Sequence, residues 1–220
     1  MTMNISHDIT PTSSLRAGML GALLLAITLA GYAIYELVLR PRAGFPSDDM
    51  AVILGGIDTL RVGHWLKFGY AGGVALLTVG LRGRLHDQSP TTVDLAVLAG
   101  IGSVALLVAS GVLGLRLLQE ADLFYRTNLV DARSTILIRV VTQSLQQAGL
   151  LLGAWLILLS SIAALRAKVW PMAMNGLGLV VGALLIAALI LPAPFDSLGP
   201  LLAIVYAGWL AWQFWRTSRS

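Results

Sequence analysis

The stretch LAVLAGIGSVALLVASGVLGL, residues 95–115, carries no charged side chain over its whole length. A transmembrane helix needs about 20 consecutive, mostly apolar residues to cross the hydrocarbon core of a bilayer. The stretch therefore predicts a membrane-spanning helix, which we extend to residues 93–118. The whole chain has the same character, since 57% of its 220 residues are hydrophobic and 12% are charged, whereas soluble domains carry about 25% charged residues.

Five further apolar segments flank this one, and together they predict an all-α, polytopic transmembrane helix bundle of about six spans. The predicted spans are residues 15–39, 62–81, 93–118, 134–166, 171–191 and 201–214. For the first span a cleaved signal peptide is the alternative. We favour a retained helix, because the apolar run is long and a single arginine precedes it.

Between the first two spans, residues 50–60 form an apolar segment that is too short to cross a bilayer alone. Ser47, Asp48 and Asp49 precede it and suit a helix N-cap with an acidic first turn. We expect a short interfacial helix here, or an extension of the second span, and a polar loop at residues 120–133. The predicted domains are a flexible tail at 1–14, a single transmembrane domain at 15–216 and a tail at 217–220.

Several chemistries are excluded by composition. The chain has no cysteine, so disulfides, iron–sulfur clusters and Cys-ligated zinc are ruled out. There is no HExxH, Walker A or GxSxG motif, and we predict neither a cofactor nor a metal. The net charge of +4 reflects arginine and lysine on the cytoplasmic side of the membrane rather than nucleic-acid binding. An enzyme is the less favoured class.

Charge placement predicts the orientation of the chain. The loops between spans two and three and between spans four and five are short and basic, and contain Arg82, Arg84, Arg166 and Lys168. An even number of spans puts both termini on one side. We therefore expect both termini in the cytoplasm of a bacterial cell, with the protein in the inner membrane. Its expected partners are membrane lipids, a small-molecule ligand or another membrane protein.

Polar side chains lie within the ends of four helices, all toward the opposite side of the membrane. Charges in a span are costly, so they usually face the bundle interior and pair. Such residues would line an outward-facing pocket of both signs, in which arginines bind an anionic group and glutamates hold or exchange a proton. The candidate ligand-binding residues are Glu36, Arg61, His64, Arg116, Glu120, Arg139, Gln143 and Gln146.

The alternative is that these residues are structural. Long side chains near helix ends extend to the headgroups and form surface ion pairs, and we favour this for Arg40, Lys67 and Arg116. For Arg139 and Glu36 both interpretations stand equally. His64 is more often a hydrogen-bonding partner than a catalyst.

Three functions follow from these alternatives. The first is binding or passing a small polar or amphiphilic ligand through the pocket. The second is a non-catalytic accessory subunit of a membrane complex, in which the charges are ion-paired and closed. The third is an intramembrane enzyme acting on a lipid or quinone, which requires His64 beside Glu36 or Glu120.

Small residues four apart predict close helix packing. Gly149 and Gly153 form such a pair in the fourth helix, and Gly178 and Gly182 form another in the fifth. These ridges let helix backbones approach each other, and we favour packing inside the bundle over dimerisation.

Four sequence features together resemble a known family. Glu36 and Arg40 end the first helix, and a polar stretch at residues 47–64 follows. Residues 165–185, LRAKVWPMAMNGLGLVVGALL, join a basic turn to a glycine-rich span, and residues 209–215, WLAWQFW, close the last helix. This layout resembles the domain of unknown function 4386 family, uncharacterised bacterial membrane proteins. The resemblance implies a six-helix integral membrane protein and no catalytic residues.

Overall fold

The computed structural model describes residues 11–44, 52, 55–127, 132–191 and 195–219. Within these ranges every regular element is helical. The main helices are α1 (Pro11–Ile34), α2 (Ile57–Leu85), α3 (Pro90–Thr127), α4 (Ala132–Ala167), α5 (Met172–Ile190) and α6 (Phe195–Thr217). Helix α1 continues without a break through a π-helical turn, Tyr35–Leu39, and one more α-helical turn, Arg40–Arg42.

Five of these helices are long and apolar enough to cross a membrane. They cover Ser13–Arg42, Pro90–Ala121, Arg139–Ala167, Met172–Leu189 and Leu198–Thr217. The predicted all-helical, multi-pass membrane architecture is therefore confirmed at this level. Helix α2 differs from the five in composition, because charged residues such as Asp58, Lys67 and Arg84 interrupt its 29 residues.

Several helices extend beyond their predicted spans. Helix α2 covers Ile57–Leu85 instead of residues 62–81, and α6 begins at Phe195 instead of residue 201. Helix α1 begins at Pro11, before the predicted start at residue 15, and α3 continues to Thr127 through most of the predicted polar loop at 120–133. No glycine or proline lies between residues 115 and 133, and polar residues alone do not end a helix. Within the expected interfacial helix at residues 50–60, residues 50, 51, 53 and 54 lie outside the described residues, Val52 and Gly55 are helical, and residues 57–60 belong to α2.

The six helices form a closed ring in chain order. Each packs against its neighbours in sequence, and α6 closes the ring by packing against α1. Helices α1 and α2 approach most closely where glycines face each other: a Cβ on Gly80 would overlap the backbone of Gly18, and a Cβ on Gly73 would lie 2.8 Å from the Leu25 side chain. This backbone proximity supplies the dispersion contacts that hold helices together in lipid.

Helices α3 and α4 are joined by side-chain to backbone hydrogen bonds. The Ser103 hydroxyl donates to the Gly149 carbonyl at 2.7 Å, and the Ser110 hydroxyl donates to the Thr142 carbonyl at 2.9 Å. Both donors and both acceptors are seven residues apart, which fixes the antiparallel register. A Cβ on Gly153 would meet Ser103 and Tyr70, so the predicted role of this glycine pair in internal packing is confirmed.

The second glycine pair packs inside the bundle as well. Gly178 of α5 faces Ser161 of α4 and Tyr206 of α6, and Gly182 faces Leu158 of α4. The hydroxyls of Ser161 and Tyr206 lie 3.3 Å apart. Both glycines therefore lie at contacts within one chain, as predicted.

The bundle has two distinct ends. At the first, which we call the terminal end, Ser14 contacts Gly83, Arg166 donates to the Thr92 hydroxyl at 3.4 Å, and the Trp170 ring packs edge-on against Phe214. The starts of α1 and α3 and the ends of α2, α4 and α6 meet there. The opposite end, where α1 ends and α2 begins, carries the polar residues described next; we call it the pocket end.

The close α1–α2 contact can be tested at Gly21, whose added Cβ would meet the backbone of Leu77 and lie 2.8 Å from the Gly73 carbonyl oxygen. We expect Gly21→Ala to lower the free energy of unfolding by about 1–3 kcal/mol, because backbone atoms cannot make way for the methyl group. Gly208 in α6 has no atom within 4 Å of such a Cβ, so Gly208→Ala is the matched control. Equal melting temperatures for the two variants in detergent would contradict this contact.

Candidate functional site: a cationic pocket at one end of the bundle

A cavity of about 490 Å³ opens at the pocket end, between α1, α2, α3 and α4. This volume lies in the range of pockets for small molecules. Its apolar walls are Leu60, Leu117, Leu118, Ala121, Leu150 and Leu189. Its polar lining consists of Tyr32, Tyr35, Glu36, Arg40, His64, Lys67, Arg139, Thr142, Gln143, Gln146 and Gln147.

The α1 wall of the cavity is shaped by Pro41. A proline inside a helix has no N–H to donate, and its ring crowds the carbonyl four residues earlier, here that of Leu37. The turn before it is widened into a π-helix, in which the Arg40 N–H donates to the Tyr35 carbonyl. π-helical turns are frequent at functional sites. In this turn the Tyr35 ring is buried against Gly63 of α2.

Glu36 and Arg40 form an ion pair on the same wall. Their side-chain atoms lie 2.8 Å apart, and each side chain is about one-third exposed. The two residues are one helical turn apart, as their spacing in the sequence predicted. Because Arg40 neutralises Glu36, the α1 wall adds little net charge to the cavity.

Lys67 lies deeper, where α2, α3 and α4 meet. It is 8% exposed, and its Nζ donates to the Ser110 hydroxyl oxygen at 3.2 Å, while that hydroxyl donates to the Thr142 carbonyl. The expectation that Lys67 extends to the headgroups is wrong. Its position shares the buried face of α2 with Ala71, Val74 and Leu81, and this helical spacing is the sequence signal that could have located it.

His64 stands one turn before Lys67 and packs against Gly114 of α3, where a larger residue would leave no room for the imidazole. Its Nδ1 atom is buried and makes no hydrogen bond within the described part of the chain, and the same holds for the Thr142 hydroxyl. Both residues line the cavity. Buried polar atoms without partners are rare in native structures, so the presence of two of them at one cavity makes it a candidate binding site.

The α4 wall carries Arg139 and three glutamines at helical spacing. Gln146 donates from Nε2 to the Tyr32 hydroxyl at 3.4 Å. This contact links α4 with α1, which are not adjacent in the ring, so the two side chains reach across the interior of the bundle. The polar stripe predicted along the first half of α4 therefore faces the cavity.

Five of the eight predicted residues line the cavity: Glu36, His64, Arg139, Gln143 and Gln146. Arg61, Arg116 and Glu120 do not. Arg61 pairs with Asp58 at 2.7 Å and Arg116 pairs with Glu120 at 3.4 Å, both in exposed positions. The polar lining is completed by the side chains of Tyr32, Tyr35, Arg40, Lys67, Thr142 and Gln147.

The cavity has a positive charge balance. Among the described residues that line it, Glu36 is the one carboxylate, and Arg40 already neutralises it. Lys67 and Arg139 have no carboxylate partner among the residues whose side chains the structure describes. Arg139 is exposed, whereas Lys67 is nearly buried, and an uncompensated cation inside a helix bundle is costly and marks a functional position.

The described residues contain no group of three or more histidine, aspartate and glutamate side chains that could hold a metal ion. Comparisons of the chain with protein-family models, with curated proteins and with solved structures found no match. The residues that line the cavity are therefore the basis for inferring what it binds.

The cost of holding Lys67 in the cavity can be measured. We expect Lys67→Met, which keeps the length of the side chain and removes its charge, to raise the free energy of unfolding of the ligand-free protein by about 0.5–2 kcal/mol, as for other residues that serve function at the expense of stability. Thermal unfolding in detergent measures this. Lys168→Met at the terminal end is the control, and a marked loss of stability in Lys67→Met would make the lysine a structural residue.

Proposed function

We propose that the protein is a six-span membrane protein of a bacterial inner membrane whose cavity binds a small amphiphilic ligand. The observation that carries the proposal is the combination of unpaired donors and leucine walls in one open cavity. Lys67, Arg139 and the unpartnered Thr142 hydroxyl offer hydrogen bonds, while residues such as Leu117 and Leu150 offer an apolar surface. Pockets for small ligands combine these two properties.

Helix α2 supplies the sixth span in this proposal. It lies between α1 and α3 in the ring, and the distance from Trp65 to Leu85 along its axis is about 30 Å, the thickness of the hydrocarbon core. The one charged residue of the predicted span 62–81, Lys67, is turned inward and buried. Packing thus compensates for a composition that would be unfavourable in an isolated span.

The orientation is part of the same proposal. Six spans bring both termini to one side, and the basic turns at residues 82–86 and 166–168 are at that terminal end. Arginine and lysine in short loops favour the cytoplasmic side. The cavity then opens outward, toward the periplasm or the outer leaflet.

The two other functions have less support. An intramembrane enzyme would need His64 hydrogen-bonded to a carboxylate, and within the described residues His64 has no such bond. A closed accessory subunit would need its charges paired. Glu36 meets that condition, but Lys67 and Arg139 have no carboxylate partner among the described side chains. Membership of the domain of unknown function 4386 family stays a proposal based on layout, and it carries no activity.

Orientation can be tested directly because the chain has no cysteine, so a single introduced cysteine is its sole thiol. Gln143 lines the cavity and Gln88 is exposed in the turn between α2 and α3 at the terminal end. In intact bacterial cells we expect a membrane-impermeant maleimide to label Gln143→Cys. We expect the same reagent to label Gln88→Cys only after the cells have been permeabilised. Labelling of Gln88→Cys in intact cells would reverse the orientation.

Occupancy of the cavity can be tested with the same variant after purification. Amphiphiles with a ten-carbon chain should slow the labelling of Gln143→Cys, because they fill the space that the reagent must enter. Arg61→Cys at the same end is the control, since Arg61 does not line the cavity and its labelling rate should not change. If no amphiphile protects Gln143→Cys, the proposed function is wrong.

A further inference from the structure

The hydrogen-bonding capacity of Lys67 is largely unused. A lysine ammonium has three N–H donors, and within the described residues one of them is taken, by the Ser110 hydroxyl oxygen at 3.2 Å. Ser110 is a neutral partner, whose oxygen accepts from Lys67 and whose hydrogen is donated to the Thr142 carbonyl, so it does not balance the charge of the lysine. Two N–H groups of a nearly buried cation therefore remain for whatever occupies the cavity.

Two further buried polar atoms line the cavity without partners in the described part of the chain. The Thr142 hydroxyl is a donor and acceptor, and the Nδ1 atom of His64 becomes a donor when it carries the ring proton. Arg139 adds a guanidinium on the same helix face as Thr142, three residues earlier. Donors from α2 and from α4 thus lie on two walls of one cavity.

Negative charge is scarce among the described side chains that line the same space. The Glu36 carboxylate is held by Arg40, and the other side-chain acceptors, such as the glutamine amide oxygens, are neutral. A cationic ligand would be repelled by Lys67 and Arg139, and a neutral one would leave the buried charge of Lys67 unpaired at a cost. A ligand that satisfies this cavity brings acceptor oxygens and negative charge.

The leucine walls indicate what the acidic group is attached to. Leu117, Leu118 and Leu150 border the cavity beside the donors, and Leu189 of α5 extends the apolar surface. A free anion would leave this surface in contact with water, whereas an apolar chain would bury it. Membrane lipids and their precursors supply such chains in quantity.

We infer that the cavity takes an acidic amphiphile, a carboxylate or phosphate headgroup on an apolar chain, and that Lys67 binds the headgroup. This inference rests on the proposed function and names its ligand class. Thr142, His64 and Arg139 supply the remaining hydrogen bonds to the headgroup oxygens. Charge-assisted hydrogen bonds to such oxygens are about twice as strong as neutral ones, which makes Lys67 the residue on which affinity depends most.

The test compares three probes that divide the ligand into its parts. Decyl phosphate has chain and headgroup, decanol has the chain alone, and inorganic phosphate has the headgroup alone. Each is titrated against maleimide labelling of purified Gln143→Cys. We expect decyl phosphate to slow the labelling at a concentration at least tenfold below the concentration of decanol that has the same effect. Inorganic phosphate, at the concentrations used for decyl phosphate, should neither slow the labelling nor compete with decyl phosphate.

Adding Lys67→Met to Gln143→Cys should raise the half-protecting concentration of decyl phosphate about tenfold or more and leave that of decanol unchanged. Arg116→Gln, at the same end but outside the cavity, should change neither. If Lys67→Met does not fold, Thr142→Val provides the second variant, with an expected loss of about three- to tenfold and with its backbone carbonyl still free to accept from Ser110.

The outcomes separate the two proposals. The inference of an acidic headgroup is wrong if decanol protects as strongly as decyl phosphate, or if Lys67→Met does not change the decyl phosphate titration. Either outcome is still consistent with a pocket that binds an amphiphile. If inorganic phosphate competes with decyl phosphate at equal concentration, the inference of an apolar chain is wrong and the ligand is a free anion. Protection by none of the three overturns the proposed function itself.

Discussion

Lipid tails offer no hydrogen bonds, so each polar group below the headgroups has to find its partner inside the bundle. Several buried serines and threonines of the described helices do so by donating to backbone carbonyls. Thr28 and Thr78 donate to carbonyls of their own helices, while Ser103 and Ser110 donate across to α4. These last two bonds fix how far α3 slides along α4. The positions of the other polar side chains depend on that register.

The two halves of the bundle meet the constraint differently. Toward the terminal end, glycines bring α1 and α2 into backbone contact, and the large buried rings of Phe214 and Trp170 fill the remaining space. Toward the pocket end, Pro41 widens the last turns of α1 into a π-helix. Gly114 of α3 makes room there for the His64 ring, and the surrounding side chains of α1, α2, α3 and α4 leave an open space. The cavity forms where close packing ends.

Lys67 lies at the boundary between these halves, where it links α2 to the two helices that follow it. Its ammonium is tied to α3 and α4 through Ser110, yet no carboxylate of the described residues balances it. A bundle selected for stability alone would have an uncharged residue here, as at the other buried positions of α2. Functional sites often keep such locally unfavourable residues, and the charge gives the cavity its selectivity for anions in our proposal.

The sequence by itself determined that this chain is a helical membrane protein, because the length of an apolar run and the position of charges along it are local properties. It also located polar residues at one end of four helices and found five of the residues that line the cavity. Only the tertiary structure decided which side chains face inward. Arg116 and Glu120 have the same spacing as Glu36 and Arg40, but the direction of a side chain around its helix is set by the helices that pack beside it. The spacing of Lys67 along α2 indicates that it is buried, but its hydrogen bond to Ser110 and its place beside Thr142 in one cavity arise only when α3 and α4 pack against α2.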